Sequence, residues 1–185
     1  MGTALYPTLL CGSWHELDEA VQRLHAADKT IHASGVFQVF RGTNWITRML
    51  AKLARLPPAG EAVDVRLVVT PHPEGEEWQR SFDGRPLVSM QYPSPGGLLC
   101  ERMGMAETRF RLEVIEHALH YRAISAALCL GKMRIRLPRW FCPRVTACER
   151  AGDEKEQVIV NVEIIVPWLG RLIAYAGVLK ILDEV

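Results

Sequence analysis

No two of the five cysteines, Cys11, Cys100, Cys129, Cys142 and Cys148, stand at C-x-x-C spacing. That absence excludes a zinc ribbon and a dithiol redox motif. An odd number of thiols also argues against a disulfide framework and for a reduced, cytoplasmic setting, with most thiols serving as small core residues. Neither sign of charge is in excess, since 22 basic and 21 acidic residues leave a net charge of +1. Nucleic-acid binding therefore has no bulk electrostatic support. No uncharged stretch is long enough to span a bilayer, and residues 123–131 fall far short. The opening residues lack the basic and apolar regions of a secretion signal, and Tyr6 stands where myristoylation requires Ser or Thr. G-x-G-x-x-G and G-x-S-x-G are both missing, which removes the phosphate-cradling loop and the nucleophile elbow. Six histidines, His15, His25, His32, His72, His117 and His120, show no ligand spacing, so no metal site and no cofactor is expected.

What the chain does have is rhythm. In the run Val158 to Val166, Val158, Val160, Val162, Ile164 and Val166 share one face, and Asn161 and Glu163 the other. This is the period-2 pattern of a half-buried strand. Similar alternation recurs at 63–69, 77–82, 87–92, 98–103, 109–114, 119–123, 133–137 and 145–150, with Asp83-Gly84 a hairpin signal. Residues 124–130 fit either a buried strand or a helical turn. Leu169 to Leu182, apolar on both faces, predicts a doubly buried strand, with a terminal helix interrupted by Gly177 as its alternative. Two N-terminal helices complete the pattern. One spans Ser13 to Ala27, with Ser13 and Glu16 as a capping box and His15 and His25 facing water. The other spans Trp45 to Leu56, ended by Pro57-Pro58-Ala59-Gly60. Its stripe of Trp45, Ile46, Met49, Leu50 and Leu53 is expected to lid one end of a barrel, leaving Arg48, Lys52 and Arg55 in water. The same face also suits a membrane surface.

The expected fold is one mainly β domain over residues 1–185. It is an antiparallel closed or strongly curled barrel, lipocalin-like by analogy, with a helix-grip sheet as the alternative.

Candidate chemistry concentrates on the strand of Trp78, Arg80 and Phe82. Facing inward, Arg80 would clamp an anionic head group. Facing outward, which is the rule for arginine, it would lie along Trp78 as a surface cation–π pair. Glu101 alternates with Arg102, so one of the two stands on an apolar face and needs a partner. Arg41, Arg80 and Arg85 are the candidate partners for Glu101, and a structural ion pair is favoured over acid–base chemistry. Trp78, Trp168 and Tyr175 are candidate walls of a ligand cavity. Arg134, Arg136, Arg139 and Arg144 form a basic cluster around Trp140-Phe141.

Several phrases carry a resemblance: Leu5-Tyr6-Pro7, Val39-Phe40-Arg41-Gly42, residues 53–60, Trp78-Gln79-Arg80-Ser81-Phe82, residues 97–104 and residues 167–179. In them the chain resembles the bacterial domain-of-unknown-function family DUF4166 over nearly its whole length. The resemblance implies a domain that stands alone or follows a saccharopine-dehydrogenase-like oxidoreductase domain, and it carries over no catalytic residue. The functions to be weighed are thus a barrel binding a small apolar or amphipathic molecule, an enzyme or oxidoreductase accessory domain using inward Arg80 or Glu101, and a filled barrel serving as an interaction domain.

Overall fold

The computed structural model describes residues 4–26 and 29–182. Among the described residues there are three α-helices and eleven strands. Helices α1 (Leu5–Leu10) and α2 (Glu19–His25) precede the first strand, and α3 (Trp45–Leu53) follows it. The strands are β1 (Ile31–Arg41), β2 (Gly60–His72), β3 (Gly75–Phe82), β4 (Arg85–Ser94), β5 (Leu98–Met103) and β6 (Ala106–Ile115). They continue as β7 (Ala118–Leu130), β8 (Met133–Arg136), β9 (Arg144–Ala151), β10 (Gln157–Val166) and β11 (Gly170–Leu182).

The order β6-β5-β4-β3-β2-β1-β11-β10-β9-β7, with β6 pairing back to β7, closes a ten-stranded antiparallel barrel. Closure removes the edges that an open sheet would expose. The barrel is an up-and-down meander, which is the lipocalin-like arrangement the alternation predicts. Only β8 lies outside the ring. It extends the edge of β7 at Ala127–Leu130, beyond the stretch Leu119–Arg122 that β9 occupies.

Asp83 and Gly84 both take positive φ, 47° and 77°, and make the two-residue turn between β3 and β4. Residues 124–130 are strand, within β7, and the C-terminal segment is strand β11, which removes the helix-grip alternative.

The expected first helix is corrected. Ser13 and Glu16 lie in a 3-10 stretch, Cys11–Glu16, and Leu17 is extended, so α2 starts afresh after Asp18. Ala27, its expected end, lies outside the described residues. A further helix, α1, precedes them. The 3-10 stretch and α2 are pinned across one barrel end. The Asp18 amide donates to the His117 carbonyl at 3.0 Å, and the Ala151 amide donates to Asp18 Oδ2 at 3.2 Å.

Helix α3 is rotated from its expected orientation, with Ile46 and Leu50 of the apolar stripe half-buried. The small side chains of Thr47 and Ala51 are buried, whereas Trp45, Met49 and Leu53 are exposed. Thr47 sits against Gly42, where any side chain on the glycine would strike the Arg171 carbonyl. The closely packed face therefore suits small residues, and Trp45, Met49 and Leu53 point out.

Candidate functional site

The pleat turns Glu76, Trp78, Arg80 and Phe82 of β3 into the barrel. Cross-strand register sets Trp78 opposite Ser89, Glu76 opposite Gln91, and Gln91 opposite Glu101. One polar row thus crosses β3, β4 and β5 inside an otherwise apolar wall. Glu101 Oε1 accepts from Ser89 Oγ at 2.6 Å, Arg80 Nη2 at 3.2 Å and Gln91 Nε2 at 3.4 Å. The Arg80 guanidinium also lies 5.0 Å from the centroid of the Trp78 ring. The outward placement of Arg80 is therefore corrected: the cation–π pair exists, but inside the barrel. Burial lowers the Arg80 pKa, and the Glu101 carboxylate more than offsets this, leaving it raised.

A second cluster lies beneath the helical cap. His25 is fully buried, correcting its expected place in water, because α2 turns it toward the interior. Its Nε2 meets Glu149 Oε2 at 2.5 Å. The single Tyr121 hydroxyl proton can be donated either to Glu149 Oε2 at 3.3 Å or to the Tyr6 hydroxyl at 3.1 Å, and Tyr6 donates to Gln91 Oε1 at 2.6 Å. Gln91 then reaches Glu101, so a continuous row of polar contacts runs from His25 to Arg80. Burial, aided by the nearby carboxylates of Glu76 and Glu149, pushes the Tyr6 hydroxyl well up, and burial does the same to Tyr121. Burial likewise raises Glu76, against the opposing pull of His25 and of a hydrogen bond from Trp78 Nε1 at 3.2 Å. Among the described residues Glu76 Oε1 and His25 Nδ1 find no hydrogen-bond partner.

Between these clusters lies a cavity of about 80 Å3, bounded by Trp78, Arg80, Glu101, Tyr121, Glu149 and Tyr175 among others. Phe37, Phe82 and Tyr175 stack around one side, with ring centroids 5.6–6.4 Å apart. Burial pushes the Tyr175 hydroxyl up to about 12, with Arg80 pulling the other way.

Of the sequence candidates, Trp78, Arg80, Glu101 and Tyr175 meet here, with Arg80 the partner of Glu101. Arg41 does not join them. Its guanidinium donates to the carbonyls of Leu56 and Pro57, holding the chain that leaves α3. Trp168 stands on the β10–β11 turn at 86% exposure, away from the interior. His25, Tyr6, Tyr121 and Glu149 were missed, since lone residues on separate elements leave no spacing to read.

A wider groove of about 510 Å3 runs over the outer face of β7, β9, β10 and β11. In it Cys148 Sγ and His120 Nε2 approach to 3.7 Å. Burial raises the Cys148 thiol, so this pair is not a poised thiolate. Among the described residues no group of three or more His, Cys, Asp or Glu is placed to hold a metal ion, and no helix is long and apolar enough to cross a membrane.

No curated protein and no solved structure matches the chain significantly. A family described as a domain of unknown function, DUF4166, matches residues 17–179, which include every strand of the barrel except its last residues and every side chain of the polar chain except Tyr6. The chain belongs to the DUF4166 family.

Proposed function

We propose that the barrel interior binds a small amphipathic molecule. Its polar group would reach Gln91, Glu101 and Arg80, and its apolar part would lie against Phe37, Phe82 and Tyr175. The observation that supports this is the chain of buried polar groups beside a cavity. A barrel that had only to fold would do as well with apolar side chains there, because buried ion pairs seldom add net stability. Since Glu101 already neutralises Arg80, a neutral or zwitterionic hydrogen-bonding group suits the site better than a bare anion. The empty space amounts to two or three waters at roughly 30 Å3 each. A larger ligand must therefore displace the Phe37–Phe82–Tyr175 rings as it enters.

Acid–base catalysis is the second reading. What favours it is a buried histidine bonded to one carboxylate and within electrostatic reach of another.

Native mass spectrometry of protein purified from cells, followed by denaturing analysis, tests the proposal. A stoichiometric small molecule is expected in the parent chain. It should be lost in Arg80→Met with Glu101→Leu, a double variant that removes the pair without orphaning either charge. An apo mass for the parent, with no melting shift from a panel of amphipathic amides and alcohols, overturns it.

A further inference from the structure

In an up-and-down barrel, successive turns alternate between the two ends. One end is covered by α1, α2 and the 3-10 stretch between them. The other carries α3, the turns β3–β4, β5–β6, β7–β8 and β10–β11, and the start of β9. Large exposed apolar side chains gather at this second end.

Tryptophan shows the asymmetry most clearly. Of the five tryptophans, Trp14 and Trp78 are buried, while Trp45, Trp140 and Trp168 are 71%, 60% and 86% exposed. All three exposed rings belong to the second end: Trp45 opens α3, Trp140 lies in the loop before β9, and Trp168 is on the β10–β11 turn. The β7–β8 ribbon adds an apolar block on its outer face, where Leu128 pairs with Ile135 and Leu130 with Met133. All four of these side chains are exposed. Trp140, Trp168 and Ile124 line a common groove of about 630 Å3 with Arg139 and Arg144.

Positive charge predominates around these rings, although Glu61, Asp64 and Asp83 lie on the β2 and β3 side of the same end. No Asp or Glu occurs from Lys29 to Gly60 or from His117 to Cys148, the two segments that supply most of this end. Arg48, Lys52 and Arg55 flank the exposed stripe of α3, and Lys132, Arg139 and Arg144 flank the ribbon and its groove. Among the described residues none of these six lies within ion-pairing distance of a carboxylate. Chain-wide neutrality therefore conceals an uneven distribution, with most of the acidic groups placed elsewhere and Glu107 and Glu163 at this end already paired with Arg134 and Arg171.

We infer that this end of the barrel docks on the surface of an anionic lipid bilayer. Exposed tryptophans prefer the interface between headgroups and acyl chains, and uncompensated Lys and Arg prefer the negative surface beside it. A protein partner would have to be acidic and apolar at once over several separate loops, whereas a bilayer supplies both properties across any area. The docking depends on the outer surface alone and holds whether or not the interior carries a ligand.

Flotation of the full chain with phosphatidylcholine vesicles, with and without a minor fraction of phosphatidylserine, tests it. Binding is expected only with the anionic lipid, accompanied by a blue shift of tryptophan emission. Arg139→Glu with Arg144→Glu should weaken it about fivefold or more per residue. Trp140→Ala with Trp168→Ala should weaken it without altering the melting temperature, since both rings are exposed. Three results would overturn the inference: no binding to either vesicle, binding unaffected by both double variants, or a stable dimer that buries the three tryptophans.

Discussion

His25 Nε2 and Glu149 Oε2 stand 2.5 Å apart beneath the helical cap, joined across 124 residues of sequence. The contact ties α2 to β9 and closes the barrel end that the 3-10 stretch and α1 also cover. It also places a histidine between buried carboxylates, the Tyr6 and Tyr121 hydroxyls and the rings of Tyr6 and Trp78. Of the two carboxylates, Glu76 is the less compensated, because among the described residues one of its oxygens has no hydrogen-bond partner.

Glu76→Gln is therefore expected to stabilise the protein at neutral pH. Burial raises the folded-state pKa of Glu76 above its ordinary 4.5, so the folded chain binds the proton more tightly than the unfolded one. Its contribution to stability is then full below the ordinary value and lost as pH rises through the raised one. The amide mimics the protonated form and should gain about 1 kcal/mol at pH 7, the low end of the cost of an unpaired buried polar atom. Urea unfolding at neutral pH and near pH 4 checks this. An equal effect at both pH values would show that charge is not the cause.

The aromatic ring offers a steric test. Phe37 lies opposite Gly177 across β1 and β11, and a Cβ on that glycine would stand 2.3 Å from Phe37 Cδ1. Gly177→Ala should push the Phe37 ring off its position and cost about 1–3 kcal/mol, as overpacking does. Phe37→Leu in the same chain should recover the ring's share of the loss, while the Val36 carbonyl oxygen, 2.5 Å from the new Cβ, continues to resist it. Thermal unfolding of the two single variants and the double variant measures the coupling. Simple additivity would mean that the backbone, not the ring, resists the methyl group.

Strand alternation made most of the barrel legible before any coordinates. The run from Val158 to Val166 could serve as a strand only with its valines inward, and β10 is built that way. Arg80 and Glu101 were legible as charges on apolar faces, but alternation alone could not decide which face was the interior. The register of β3, β4 and β5 decides it, by placing Ser89 and Gln91 beside them. His25 was unreadable for a different reason. Its helix was drawn from Ser13 on capping chemistry, and a helix restarting after Asp18 rotates every later side chain. In α3 the large residues drew the inward assignment, yet Gly42 against Thr47 leaves room only for small ones.

Glu107 provides the last prediction, because one carboxylate holds the β7–β8 ribbon. Its Oε1 accepts from Arg134 Nη2 at 2.6 Å and Nε at 2.8 Å, and its Oε2 accepts from Tyr92 at 3.2 Å. The Arg134 hydrogen bonds depress the Glu107 pKa below 4.5, against the opposing effect of burial. A depressed carboxylate contributes stability that is present above its ordinary value and lost as pH falls through the folded one. β8 has no other neighbouring strand, so the loss should remain local. Glu107→Gln keeps an acceptor but removes the charge, and should weaken the anchor by about 1 kcal/mol, since Arg134 is partly solvated. Hydrogen exchange of Met133–Arg136 should quicken severalfold in this variant at neutral pH while the melting temperature barely moves. The parent chain should show the same quickening once the pH falls well below 4.5. Uniformly faster exchange across the barrel would instead make Glu107 a support of the whole fold. A ribbon freed in this way would still carry Leu128, Leu130, Met133 and Ile135, so vesicle binding by Glu107→Gln would separate the chemistry of that surface from its rigidity.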